Sequence, residues 1–229
     1  MTIYFDKLNS DLTTASAPYG TVTHVRRAGF YRNYIKRGMD IACVVATAPF
    51  VLPVVAALAL CVARDGSSPF YGGKRVGKGG VEFPMLKLRT MVPNADKLLD
   101  SHLANDADAR TEWQGTQKLK DDPRITKLGR LLRKVSFDEL PQLWNVLRGD
   151  MSLVGPRPIL PEQRSIYPGL SYYAVRPGIT GPWQVSDRNE SEFIKRAEHD
   201  KGYNQNISFS TDVKLLWQTF GAVFNGTGY

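Results

Sequence analysis

The longest uncharged stretch of the chain runs from Ile41 to Ala63, a length of 23 residues. A straight helix of that length covers about 34 Å, which is enough to span a bilayer. Pro49 and Pro53 lie near its middle, where each removes a backbone donor and bends a helix. The pattern therefore predicts a bent apolar helix in a membrane.

Basic residues flank this stretch on both sides. Arg37 precedes it and Arg64 follows it, and positive flanks favour the cytoplasmic side of a membrane. A helix that enters the bilayer, breaks at Pro49 and returns to the same face satisfies both flanks and the prolines. We prefer this re-entrant (helix-break-helix) segment, and the alternatives are one kinked spanning helix or a buried core helix.

Composition divides the chain into three parts. Residues 1–25 are polar without a period and predict a mobile tail, with no apolar core of a signal peptide. Residues 26–64 hold the basic flank and the membrane segment. Residues 65–229 have the mixed pattern of a globular domain, and without a signal peptide this domain is expected to stay in the cytoplasm.

The globular part contains both strand and helix patterns. Glycines punctuate strand-like runs around Phe70-Tyr71 and Val81–Leu88. Helices are expected over about 93–115, 125–135, 140–148, 190–203 and 212–224, with an ordered loop over 149–190. The predicted fold class is α+β, mainly α, with the re-entrant membrane segment attached to a cytoplasmic domain.

Charge and cysteine content limit the kinds of ligand and covalent link that the chain is expected to have. The formal charge of +8 predicts anionic partners such as phosphates, nucleotides or acidic lipid. No recognised nucleic-acid module occurs, so nucleic acid is not expected. Cys43 and Cys61 both lie in the apolar stretch, have no metal-ligand spacing and predict no disulfide.

The clearest candidate for chemistry is the adjacent pair Asp138 and Glu139. Two carboxylates suit phosphoryl transfer, because one can attack phosphorus while the other holds a divalent metal. Apolar residues follow at helical spacing, which predicts that the pair and Gln142 turn away from the core. The apolar residues at this spacing are Leu140, Leu143, Trp144 and Leu147.

The same pair has a purely structural interpretation. Ser136 and Glu139 have the spacing of a capping box, and acidic residues favour a helix N-terminus. Pro141 weakens this interpretation because its missing N–H disturbs the first turn. Local spacing supports the two interpretations about equally.

A basic stripe precedes the pair. Lys127, Arg130 and Arg133 fall three residues apart, opposite the leucines of the expected helix. Such a stripe usually marks a solvated face. The functional alternative is a cationic wall that receives phosphate oxygens.

Further cations stand in the loop region rich in glycine and proline. Arg157, Arg176 and Arg188 lie on stiff loops, where a guanidinium loses little entropy on gripping a phosphate, although such loops also arise for turn geometry. Trp183 and Tyr203 suit either base stacking or, more commonly, core packing.

Taken together, these segments resemble the bacterial sugar transferases of the monotopic phosphoglycosyl transferase superfamily. The resemblance covers about residues 30–220 in order, and the 23 consecutive positions of Ser136–Pro158 favour the reactive pair over the capping box. The other segments that carry it are Lys36–Asp40, Phe83–Met91, Arg176–Gly181 and Asn206–Ser208.

The resemblance implies a two-step transfer that uses Mg²⁺. Asp138 would attack the sugar-bearing phosphorus of a UDP-sugar and expel UMP, and undecaprenyl phosphate would then take the phosphosugar. Glu139 would bind the metal, together with Asp138. The residues implied to contact phosphates or uridine, or to lie near them, are Lys87, Arg89, Arg133, Arg157 and Arg176.

The resemblance also implies a place and a pathway step. The chain length is similar to that of exopolysaccharide-initiating enzymes of the ExoY type, and by that analogy the sugar is galactose. The implied location is the bacterial inner membrane, in contact with membrane lipid and with the catalytic domain on the cytoplasmic face. A homo-oligomer is compatible with the sequence. One departure is Ala48-Pro49, because many members of the family have Ser-Pro at the helix break.

The residues leave one other function open. A non-enzymatic membrane adaptor that binds anionic lipid fits the basic flanks of the apolar stretch equally well. It does not require Asp138 and Glu139 to lie beside a group of arginines.

Overall fold

The computed structural model describes residues 29–116, 119–186 and 195–224. A π-helical turn at Tyr31–Ile35 leads into α1 (Lys36–Val62), which a 3-10 turn closes at Ala63–Asp65. Helix α1 passes through both prolines, so the expected interruption at Pro49 does not end the helix. The predicted tail over 1–25 and the predicted cation Arg188 lie outside the described residues.

Helix α1 is long and apolar enough to cross a membrane, as judged by length and composition alone. Phe50, Leu52 and Leu60 on this helix are largely exposed. A core helix of a soluble domain buries such side chains, so the alternative of a buried core helix is wrong.

Both ends of α1 pack on the same globular body. Val44, near the first end, is buried against Phe83 and Met85. Ala59, near the second end, is buried with Leu88 and Leu132. The apolar middle of the helix projects between these two contacts.

A β-hairpin follows α1, as the glycine-punctuated pattern predicts. Strands β1 (Phe70–Val76) and β2 (Glu82–Leu88) pair antiparallel, with Phe70 opposite Leu88. The connecting turn uses Gly79 and Gly80, both with φ near the left-handed region that glycine adopts without strain. The hairpin carries Lys87 to the start of the functional site.

Four helices follow the hairpin. The helix expected over about 93–115 is divided at Asp106, whose extended backbone ends one helix and whose carboxylate accepts the first amides of the next. The helices expected over 125–135 and 140–148 are confirmed with small shifts of their ends. The observed helices are α2 (Ala95–Asn105), α3 (Ala107–Thr116), α4 (Lys127–Lys134) and α5 (Gln142–Arg148).

The region predicted as ordered loop over 149–190 contains regular structure. Strands β3 (Ser152–Val154) and β4 (Gly178–Thr180) pair in parallel. Their three-residue length is too short to give an alternating pattern. Gly155 permits the pairing, because a Cβ there would collide with the carbonyl oxygen of Arg176. The remaining turns are 3-10 helices at Pro161–Ile166 and Tyr172–Ala174.

Within the described residues, three helices complete the body: α6 (Pro182–Val185), α7 (Arg196–Gln205) and α8 (Phe209–Phe224). Helix α7 confirms the described part of the helix expected over about 190–203. The predicted class of α+β, mainly α, is confirmed.

A buried carboxylate joins the first helix to the last. Asp212 of α8 has no exposed surface and accepts hydrogen bonds from three donors. Lys36 Nζ lies 2.5 Å away, and the hydroxyls of Tyr31 and Tyr203 each lie 2.7 Å away. Tyr203 is therefore a core residue, as its more common interpretation predicted. We call these four side chains the Asp212 clamp.

Candidate active site

Asp138 and Glu139 lie in a 3-10 turn, Phe137–Glu139, between α4 and α5. Ser136 precedes the turn with a left-handed backbone (φ 58°, ψ 22°) and makes no side-chain capping bond. A capping residue normally has an extended backbone that aims its oxygen at the helix amides. The capping-box interpretation of Ser136 and Glu139 is therefore wrong.

The orientation predicted for the run after the pair is also wrong. Asp138 and Gln142 are 6% and 2% exposed, whereas Trp144, which we expected in the core, is 57% exposed. This difference arises because α1 and strand β2 pack on the side of α5 that carries Asn145 and Val146, so both of these residues are fully buried. The two carboxylates thus lie in a partly covered position and not on a solvated helix face.

Lys87 holds the two carboxylates together. Its Nζ lies 2.7 Å from Glu139 Oε1 and 3.3 Å from Asp138 Oδ2. Burial raises the pKa of the Asp138 carboxyl, the ammonium of Lys87 lowers it, and the charge of Glu139 raises it again. Asp138 is thus a buried carboxylate whose charged form depends on neighbouring cations.

Arg133 supplies a second cation to the pair. Its Nε donates to Thr90 Oγ1 at 2.9 Å, and its charge lowers the pKa of Asp138. The three residues of the predicted basic stripe do not share one environment. Lys127 and Arg130 are exposed, whereas Arg133 is partly buried. The cationic wall therefore consists of Arg133 from the stripe, with Lys87 from β2.

Close packing fixes the helix that carries Arg133. A Cβ on Gly129 would collide with the carbonyl oxygen of Thr90, so only glycine allows α4 to approach this closely. Thr126 caps α4 by accepting the Gly129 amide at 2.8 Å. These contacts bring Thr90 within reach of the guanidinium of Arg133.

Asn145 positions the strand that carries Lys87. Its Nδ2 donates to the carbonyl oxygen of Pro84 at 2.8 Å, and its Oδ1 accepts the amide of Leu86 at 2.9 Å. This positioning role of Asn145 was not predicted from the sequence. A fully buried amide group needs hydrogen-bond partners, and its burial is visible only in the structure.

The other predicted cations lie in different surroundings. The Arg89 guanidinium binds both carboxylate oxygens of Asp65 at 2.7 Å and the Val62 carbonyl, so it anchors the end of α1. Arg176 Nε donates to the carbonyl oxygen of Gly149 at 2.8 Å. Neither contact involves the reactive pair.

Arg157 belongs to a second group of cations. The guanidinium carbons of Arg157 and Arg196 lie 5.7 Å and 4.8 Å from the ring centroid of Trp183. Burial lowers the pKa of both Arg75 and Arg196, and the nearby charge of Arg157 lowers it further. The charge of Glu162 opposes this effect at Arg75, and the charge of Asp200 opposes it at Arg196. Arg75 and Arg196 were not predicted from the sequence, because neither lies in a motif typical of a phosphate site.

Magnesium has two candidate ligands here. Among the residues that the structure describes, no group of three or more His, Cys, Asp and Glu side chains could hold a metal. Mg²⁺ is commonly held by one or two carboxylates plus substrate phosphates. Asp138 and Glu139 are brought close enough for Lys87 to contact both, which fits that kind of site.

Substitution of Lys87 by methionine tests the electrostatics of the pair. If the ionised form of Asp138 is the reactive one, kcat/KM increases as the pH rises past the pKa of Asp138. Because Lys87 lowers that pKa, the acidic limb of the kcat/KM profile should move to higher pH in Lys87→Met. The control is Lys78→Met, in the exposed hairpin turn, and an acidic limb that stays in place in Lys87→Met would contradict the expectation.

Comparison with known proteins adds to this geometry. The sequence profile of the family described as "Bacterial sugar transferase" matches residues 31–226. The chain is 45% identical over 197 residues to the undecaprenyl-phosphate galactose phosphotransferase of Salmonella typhimurium. It is 44% identical over 197 residues to the UDP-galactose-lipid carrier transferase of Erwinia amylovora. It is 38% identical over 219 residues to the exopolysaccharide production protein ExoY of Rhizobium meliloti.

The fraction of each relative's length that aligns with this chain differs among the three. The Salmonella and Erwinia matches cover 85% of this chain but 41% of each relative, so the chain spans about two-fifths of their length. The match to ExoY covers 94% of this chain and 97% of the relative. The residues matched by the family profile include the site described above.

Proposed function

Because the chain belongs to the bacterial sugar transferase family, we propose that it transfers a sugar-1-phosphate from a UDP-sugar to undecaprenyl phosphate and releases UMP. The observation that carries the proposal is the buried carboxylate of Asp138, held beside Lys87, Arg133 and Glu139. A buried carboxylate with a shifted pKa is typical of a functional site and not of a surface charge. It is also a suitable nucleophile for phosphorus.

In the first step, a carboxylate oxygen of Asp138 forms a bond to the sugar-bearing phosphorus. The bond from that phosphorus to the bridging oxygen breaks, and UMP leaves with the electron pair. In the second step, a phosphate oxygen of undecaprenyl phosphate attacks the same phosphorus, and the bond to Asp138 breaks. The carboxylate is restored, and the lipid carries a diphosphate-linked sugar.

The cations around the pair have distinct roles in this proposal. Lys87 and Arg133 lower the pKa of Asp138 against the burial that raises it, and they lower the repulsion between the carboxylate and the diphosphate. Mg²⁺, when held by Asp138 and Glu139, would neutralise further charge on the phosphates. Arg157 and Arg176 would bind the nucleotide part, where stiff loops hold each guanidinium in place.

Galactose is the sugar that we propose. The names of the Salmonella and Erwinia relatives specify galactose, and the name of the Rhizobium relative specifies exopolysaccharide production. By this similarity, the reaction would be the first membrane step of exopolysaccharide synthesis.

The direct test is release of UMP. The purified chain with Mg²⁺, UDP-galactose and undecaprenyl phosphate should release UMP, and without the lipid it should retain a labelled phosphosugar on the protein. A panel of other UDP-sugars serves as the control for sugar choice. No UMP from any donor would contradict the transferase and favour the membrane adaptor.

We propose further that α1 is re-entrant in the bacterial inner membrane, with the globular body on the cytoplasmic face. Packing of both Val44 and Ala59 on one body supports this arrangement, because a helix that crossed the bilayer would separate its ends. Cysteines placed at Phe30 and Gly66, after removal of the native ones, should both be labelled from the cytoplasmic side. Labelling from opposite sides would show a spanning helix.

A further inference from the structure

Large apolar side chains are exposed beside the reactive pair. Leu131 is 58% exposed, Phe137 is 41% exposed and Trp144 is 57% exposed. Exposed apolar patches on a protein surface mark sites that contact proteins, membranes or ligands. We call these three side chains the apolar rim.

The apolar rim surrounds Asp138 along the chain. Phe137 is its immediate neighbour, and Trp144 follows seven residues later on turns linked by the bonds Leu140 N to Phe137 O and Trp144 N to Pro141 O. Residues seven apart on continuous helical turns lie on the same side. Leu131 comes from the last part of α4, on the other side of the pair.

The rim also lies between the two ends of the membrane helix. Helix α4 packs through Leu128 and Leu132 on the second end of α1, near Ala59. Helix α5 packs through Leu143 and Leu147 on the first end, near Val44. The turn that carries Asp138 joins α4 to α5, so the rim residues belong to the two helices, and the turn between them, that contact the two ends of α1.

Exposed cations accompany these apolar side chains. Arg130, Lys134 and Arg148 are exposed on the same two helices that carry the rim. A ligand that matches this combination has an apolar chain and an anionic head. Anionic bilayer lipids and a polyprenyl phosphate both have this combination. The polyprenyl phosphate is the one whose phosphate must reach Asp138 in the proposed reaction.

We infer that the apolar rim binds the first isoprene units of the polyprenyl phosphate acceptor and so brings its phosphate to Asp138. The inference rests on the proposed transferase function and adds the residues that select the acceptor. Phe137, Leu131 and Trp144 act on the second step alone, because the UDP-sugar carries no apolar chain.

The test separates the two half-reactions. Phe137→Ala and Trp144→Ala are made in the full chain and assayed in phospholipid nanodiscs with Mg²⁺, UDP-galactose and undecaprenyl phosphate. We expect the KM for undecaprenyl phosphate to rise about tenfold in each variant, as burial of one large apolar side chain allows. Single-turnover UMP release without the acceptor should stay within about twofold of the unsubstituted protein. Trp144→Phe should restore most of the acceptor affinity.

A matched control distinguishes acceptor binding from adhesion to the bilayer. Trp217 of α8 is 77% exposed but lies outside the rim, and Trp217→Ala should leave the acceptor KM unchanged. Geranyl phosphate, a short soluble acceptor, should show the same rise in KM with Trp144→Ala, because the rim contacts the isoprenes nearest the phosphate.

Three results would overturn the inference. They are an equal rise in acceptor KM in Trp217→Ala, a rise that disappears with geranyl phosphate, and a Trp144→Ala variant that slows UMP release as much as overall transfer. Failure of the proposed function is a different outcome, since then the unsubstituted protein itself releases no UMP.

Discussion

Replacing Asp138 with asparagine is expected to lower the transfer rate by on the order of 10⁴-fold or more, the effect of removing a covalent nucleophile. The amide has the shape of the carboxylate but cannot attack phosphorus. The fold should survive, because burial disfavours the charge that is removed and Glu139 still accepts a hydrogen bond from Lys87.

The measurement is steady-state UMP release with the thermal unfolding midpoint recorded in parallel. Glu82→Gln is the control, since Glu82 is an exposed carboxylate that pairs with Arg164. It should keep full activity. Near-normal turnover in Asp138→Asn would eliminate Asp138 as the nucleophile, whereas loss of both activity and folding would leave the chemistry to be tested with the trapped phosphosugar.

Removal of the central carboxylate of the Asp212 clamp is expected to cause the largest loss of stability. Asp212→Ala leaves the ammonium of Lys36, which is only 12% exposed, without its anion. The hydroxyls of Tyr31 and Tyr203 lose the same acceptor. Breaking a buried ion pair from one side costs about 3–5 kcal/mol, because an uncompensated charge stays buried.

The free energy of unfolding can be measured in detergent by urea titration, with tryptophan fluorescence as the probe. Glu82→Ala is the matched control, because it breaks an exposed ion pair that should contribute about 1 kcal/mol or less. A loss in Asp212→Ala no larger than in this control would mean that the clamp does not stabilise the contact between α1 and α8.

Long periodic elements of the fold were predictable from the sequence. The apolar run gave α1, the glycine-bounded runs gave the hairpin, and the leucine spacing gave α4 and α5 within a few residues. Strands β3 and β4 were not predictable, because three residues cannot show a period. Their pairing depends on close backbone contact at Gly155 and Gly178, which is a property of two distant segments together.

The sequence predicted which kinds of residue belong to the candidate site, but it did not predict their burial or their contacts. Asp138 and Glu139 were identified, yet their burial was not, since it depends on the strand and helix that cover α5. Arg89 looked equivalent to Lys87 two positions earlier, but Asp65 and Val62 engage its guanidinium. Trp144 fitted a core position by spacing alone, and its exposure became visible only when the elements covering α5 were known.

The Asp212 clamp also imposes an order on biosynthesis. Lys36 and Asp212 are 176 residues apart, so at about 5–20 residues per second the ribosome needs on the order of 10–35 seconds to make the second partner after the first. Throughout that interval, the newly made α1 has no Asp212 to hold Lys36. In the proposed membrane arrangement, α1 therefore enters the bilayer before its link to α8 exists, and the clamp closes as a late step of assembly.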